Sequence, residues 1–227
     1  MQRTERRILD FDIENRPLSY WVQDMPTADI TSIASAWRGD HDSMQVLLLA
    51  PPCWHKGHDE HCPEMPDYLV STKVMLERFV ARYNEADMVT GHYIRKHDLP
   101  IINGALYDEG MELLTPKLTS DTKLDMMKKA DIPATQEFLL ELLDPQCNIG
   151  IPLIKYHMSQ RTWREANRLT RKGVEQTRIR VQNDVHAHEH MRDTMMTRGM
   201  LRGPKMWNPG GGPSGVGTSR SESSESK

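Results

Sequence analysis

The chain has 227 residues, of which 37% are hydrophobic and 27% charged, enough for one full α/β domain with a tail and short for two. That balance excludes a disordered chain, and no apolar run reaches the ~18–20 residues of a bilayer span. The net charge of −3 hides an asymmetry: residues 1–154 carry 15 Lys/Arg against 25 Asp/Glu, whereas residues 155–205 carry 12 against 5.

In chain order, Met1 to Arg7 lacks the apolar stretch of a signal peptide, and Arg7 to Glu14 alternates as a strand with acids near its C-terminal end. Two further strands are expected over Ile30–Trp37 and Gln45–Ala50, joined by the polar turn Arg38–Asp42, so the three form an antiparallel meander. Residues 51–66 read as a loop insertion rich in Pro, Cys and His. Apolar positions then recur at helical spacing from Asp67 to Asn84. Asp87–Gly91 reads as a short buried strand, Leu99–Glu109 as a helix with Pro100 in its first turn, and Leu113–Thr119 as a strand leading to Asp121. Helices are expected over Lys123–Lys129, Ala134–Leu143 and the long basic stretch Ser159–Arg198. From Gly203 the Gly/Ser-rich composition predicts a disordered tail, giving a domain over 1–202 and a tail over 203–227.

Asp12-Ile13-Glu14 sets two carboxylates on one face of a strand, because side chains alternate with a period of two. Hard divalent cations take oxygen ligands, although a solvated strand end also looks like this. Three more pieces bear on the choice. Residues 86–100 run from a short strand through Gly91-His92-Tyr93 into a helix opening with Asp98-Leu99-Pro100. Asn183-Asp184-Val185 lies in the long helical stretch. The acids follow in order, Asp98 about 85 residues after the first pair and Asp184 another 86 residues on.

Those motifs resemble the DEDD superfamily of 3′→5′ exonucleases, over roughly residues 6–198. The resemblance implies a ribonuclease H-like α/β fold: a mixed sheet, antiparallel meander plus parallel strands, flanked by helices. It also implies a stand-alone, proofreading-type nuclease, as phages and actinobacteria encode, acting in DNA replication. Two Mg²⁺ or Mn²⁺ ions would be held by Asp12, Glu14, Asp98 and Asp184, with Asp12 bridging both. The substrate would be single-stranded 3′ ends, of DNA first and of RNA as the alternative, with a replicative polymerase as a partner.

Two departures from the family pattern stand out. Its usual Asn after Gly-His is Tyr93. Where members carry a Tyr four residues before the last acid, or a His five before it, this chain has Arg180 and Ile179. Arginine stays protonated and cannot be a general base. Arg180, Asp184 and His188 fall on one helix face, which makes Arg180 a partner of Asp184 or of the scissile phosphate and His188 the nearest proton acceptor. An alternative pairing, His188 with Asp193, has the spacing of the histidine subclass.

Arg161, Arg164, Arg168 and Arg171, with Lys155, Lys172 and Arg178, are placed to track a phosphate backbone, with Trp163 or Tyr156 as stacking platforms or core. Cys53, His55, His58, His61 and Cys62 offer the four N/S ligands of a structural Zn²⁺ site, or simply a stiff unmetallated loop. Three cysteines do not make a disulfide framework, so a reducing, cytoplasmic compartment is expected, with no membrane contact. Rival readings are an endonuclease on the same fold and a non-catalytic nucleic-acid-binding module.

Overall fold

A computed structural model describes residues 6–17, 28–51, 66–127, 133–143 and 158–210. Seven strands among them form one sheet in the order β4-β3-β2-β1-β5-β6-β7. β1 (Ile8–Pro17), β2 (Ala28–Trp37) and β3 (Asp40–Leu49) make the expected antiparallel meander. β5 (Met88–Gly91) then runs parallel to β1, and β6 (Lys117–Asp121) parallel to β5. This is a mixed α/β sheet with the acid-bearing β1 at its centre, consistent with the expected ribonuclease H-like arrangement.

The two faces of β1 are sorted by its alternation. Leu9, Phe11 and Ile13 enter the main core with Phe79 and Tyr83 of α1 (Thr72–Glu85) and Leu99, Ile102 and Leu106 of α2 (Asp98–Asp108). Asp10, Asp12 and Glu14 face the other way, toward α5 (Arg171–Thr197). That helix docks on the sheet through Val181 and Val185, which pack on Ala34 and Ala36 of β2. α3 (Gln136–Leu143) covers the far flank of α5, with Leu139, Leu140 and Leu143 against Ala187, Met191 and Met195. The methionines there fill core, as their helical placement predicts.

Several expected boundaries move. The helix expected from Asp67 starts at Thr72, capped by the Ser71 hydroxyl, after a two-residue strand β4 (Leu69–Val70) that pairs with β3. Residues 123–127 form turns rather than a helix, and Met126 bridges to Leu201. The long basic helix is two helices, α4 (Gln160–Asn167) and α5, broken at Leu169, whose φ of 52° is left-handed. β7 (Lys205–Trp207) adds a strand antiparallel to β6, so the sheet continues past residue 202, the expected end of the domain. Among the described residues, no helix is long and apolar enough to cross a membrane. The proposed zinc ligands between Cys53 and Cys62, together with Lys155 and Tyr156, lie outside the described residues.

Candidate metal centre

Three carboxylates from two elements converge where β1 meets α5. Ligand oxygens of Asp12, Glu14 and Asp184 lie within 4.8 Å of one another. The β1–β2 register shifts between Glu14 and Asn15, where Thr31 of β2 is the extra residue, just where the acids sit. Asp98, the first residue of α2, approaches from the other side of β1, where its Oδ1 accepts the Ile13 backbone N–H at 3.3 Å. It stands outside the 4.8 Å group yet close enough to raise the pKa of Asp12. β1, α2 and α5 thus bring all four sequence-nominated acids to one place, and Gln136 of α3 steadies the last by donating to the Asp184 carbonyl at 2.8 Å.

The electrostatics are those of clustered, buried carboxylates. Burial, then Asp98, Asp184 and Glu14, push the Asp12 pKa well above the ordinary carboxylate value, and Arg180 offsets only part of this. Burial also raises Asp98, opposed by its hydrogen bond with His97. The Arg180 guanidinium pairs with Glu14 and lies 3.6 Å from Asp184 Oδ2. Burial alone would pull the Arg180 pKa down, but Glu14, Asp184 and Asp12 hold it above its usual value. An all-oxygen set of clustered, partly desolvated carboxylates fits hard dications of the Mg²⁺ or Mn²⁺ type. Arg180 brings one positive charge to this group of acids.

The remaining nominated residues are placed as follows. His188 is buried, and its Nδ1 lies 2.9 Å from Asp10 Oδ1. Its Nε2 is shielded from solvent and, among the described residues, has no hydrogen-bond partner, so the proton acceptor expected at the acids is bound up in the sheet–helix interface. Asp193 is displaced from the cluster, with its carboxylate 2.5 Å from the Arg38 guanidinium. Arg161, Arg164, Arg168 and Arg171 are exposed on α4 and at the start of α5. Trp163 sits on the same helix with its ring centroid 5.1 Å from the Arg180 guanidinium, which puts the basic helix next to the acids. Arg16 reinforces this by donating to the Asn167 carbonyl at 2.9 Å.

Sequence reasoning missed Asp10 and His97. Asp10 continues the alternation of Asp12 and Glu14 and was legible as Asp-x-Asp-x-Glu on one face. His97 lies directly before Asp98, 3.5 Å from its carboxylate, and its side chain is nearly half exposed. The hydrogen bond to Asp98 raises its pKa. The Gly91-His92-Tyr93 turn has its own logic. A Cβ on Gly91 would come 2.7 Å from the Phe11 carbonyl oxygen, so only glycine lets β5 lie against β1 there. His92 Nε2–H donates to the Ala134 carbonyl at 3.1 Å, which ties the turn to the segment leading into α3.

No family model matches the chain, and no curated protein matches it. Among solved structures it is similar to a family B DNA polymerase from the hyperthermophilic archaeon Pyrobaculum calidifontis, at 14% identity and a TM-score of 0.47. The similarity covers 85% of this chain and 25% of the polymerase, so the chain spans about a quarter of that protein's length.

Proposed function

We propose that the protein is a metal-dependent 3′→5′ exonuclease acting on single-stranded DNA ends. The observation that carries this reading is the convergence of Asp12, Glu14 and Asp184, with Asp98 beside them, at the centre of a ribonuclease H-like sheet. Two hard dications held by these four acids would supply an activated water and charge relief on the leaving 3′ oxygen. The chain's own side chains do the rest. Arg180 donates to the scissile phosphate once Glu14 turns to a ligand role, and its always-charged guanidinium cannot accept a proton. His97 carries a mobile proton beside Asp98. Arg161, Arg164, Arg168 and Arg171 hold the incoming strand by its phosphates, with Trp163 behind them.

The test uses 5′-labelled single-stranded DNA and RNA, a circular single strand, and MgCl₂ or MnCl₂. A ladder shortening from the 3′ end, seen only with metal and with the circle intact, is the expected result. Asp12→Asn and Asp184→Asn should each abolish it, while Asp193→Asn should leave it nearly unchanged. Cleavage of the circle would make the protein an endonuclease. The internal pairing of Arg180 with Glu14 favours one other reading, a nucleic-acid-binding module whose acids are partly neutralised from within. Tight DNA binding without any metal-dependent product would establish that alternative.

A further inference from the structure

On the opposite flank of α5 from the acids, a second cluster has different chemistry. His186 and Glu189 are three residues apart on the helix and so share a face. His41 reaches them from the start of β3, just after the tight turn at Gly39, whose φ is 79°. Ligand atoms of the three lie within 4.8 Å of one another. We propose that His41, His186 and Glu189 form a metal site for Zn²⁺ or a similar borderline dication, clamping the β2–β3 turn onto α5.

The geometry is close to what such an ion needs. Zinc sits ~2.0–2.1 Å from imidazole nitrogen and ~2.0–2.2 Å from carboxylate oxygen, so two ligands of a tetrahedral ion are about 3.3–3.5 Å apart. His41 Nδ1 and Glu189 Oε2 are already 3.5 Å apart. The His41 side chain is 69% exposed and free to rotate the last distance, whereas Glu189 is held at 13%. The other Glu189 oxygen accepts the Gly39 backbone N–H at 3.2 Å, an outer contact of the sort that orients a ligating carboxylate. Arg38 and Asp193, paired at 2.5 Å, hold the turn and helix in the same register. With three protein ligands a fourth position is left to water, reached through the exposed His41 edge. Two imidazoles and one carboxylate suit a borderline cation, whereas the all-oxygen set around Asp12 suits a hard one. His186 lies only two residues beyond Asp184, but two residues turn a helix by about 200° and so separate the two sites.

The test titrates ZnCl₂ into chelator-stripped full-length protein by calorimetry, with thermal unfolding and the tetrahedral Co²⁺ absorption band as independent readouts. Asp12→Asn should bind as the wild type does, and MgCl₂ should not compete. His41→Ala and His186→Ala should each lose one equivalent of zinc, or bind it at least about tenfold more weakly. They should also lose the cobalt band and the zinc-dependent rise in melting temperature. His41 is an exposed residue at the start of β3, so its variant stays folded, which circular dichroism checks. Zinc held by the Cys53–Cys62 loop would persist in both variants and is counted separately. Unchanged stoichiometry in both histidine variants, or loss of this equivalent in Asp12→Asn, would overturn the proposal.

Discussion

Asp12 contributes oppositely to folding and to the proposed chemistry. Its pKa is raised first by burial and then by Asp98, Asp184 and Glu14, so the folded protein holds that proton more tightly than the unfolded chain does. Such a group contributes stability that is fully present below the unfolded pKa, near 3.8, and is lost as pH rises toward and through the folded value. Asp12→Asn carries no charge to lose. Without divalent cations it is expected to be more stable than the wild type at neutral pH, by about 1 kcal/mol, with a weaker decline as pH rises. Added Mg²⁺ should raise the melting temperature of the wild type and not of the variant. Urea titrations across a pH series check both; a variant less stable than wild type at neutral pH would contradict the electrostatics. At this scale much was legible from sequence: the alternation on β1 and the Arg180–Asp184–His188 column on α5 both follow from helix and strand periods. What was not legible is which partner each side chain takes across the interface. Asp10 captures His188, and Arg180 reaches Glu14, because α5 crosses β1 at a register that no local pattern encodes. Tyr93 shows the same lesson at the backbone. Its φ of 74° is left-handed, a region that Asn tolerates better than an aromatic residue does, so the backbone at this turn sets its own residue preference. Lys123, 3.9 Å over the Tyr93 ring, offsets part of that cost.

The elements that sequence analysis recognised, β1 to β3, α1, β5 and α2, each carry their own period and stop signal, although α1 starts five residues later and β3 five residues earlier than expected. Those it missed do not. β4 and β7 are two and three residues long and exist only because a neighbouring strand offers a ladder. The break between α4 and α5 is marked by neither Gly nor Pro; Leu169 takes the left-handed turn, and the Thr170 hydroxyl caps α5 by accepting the Gly173 N–H at 3.1 Å. Gly173 is the residue that makes the corner fit. A Cβ there would lie 2.2 Å from the backbone carbonyl of Glu165 in α4, so the two helices touch backbone to backbone. Gly173→Ala must push α4 away, at a cost of about 1–3 kcal/mol, as overpacking does. Because α4 carries Trp163 against Arg180, the same variant should also weaken DNA binding, whereas Gly104→Ala, with open space at its Cβ position, should do neither. Chemical denaturation with a parallel binding assay separates the two; equal behaviour of both variants would mean that the corner is not tightly packed.

Across the whole molecule, charge is divided by element: acids gather at the centre of the sheet, and exposed arginines line α4 and the first turn of α5 beside them. An overall charge of −3 would by itself repel DNA, so the proposed binding is assigned to this local basic face. Phosphate contacts made there carry no base information and release counterions. Arg164 and Arg168 are exposed and lie on the helix that Arg16 and Trp163 fix next to the acids. Replacing both with Ala removes up to two phosphate contacts, each worth about 0.7 in the slope of log K against log salt for a single strand. The double variant should therefore show a slope shallower by about 1.4, with affinity falling by a similar factor on oligonucleotides of unrelated sequence. Neither arginine touches the acid cluster, so metal-dependent turnover at saturating DNA should stay near the wild-type rate while half-saturation moves to higher DNA concentration. Fluorescence anisotropy at several salt concentrations, in a buffer without divalent cations to prevent cleavage, measures the slope directly. An unchanged slope would place the strand on another face and detach α4 from substrate binding; a slope change confined to one sequence would mean that these side chains read bases instead.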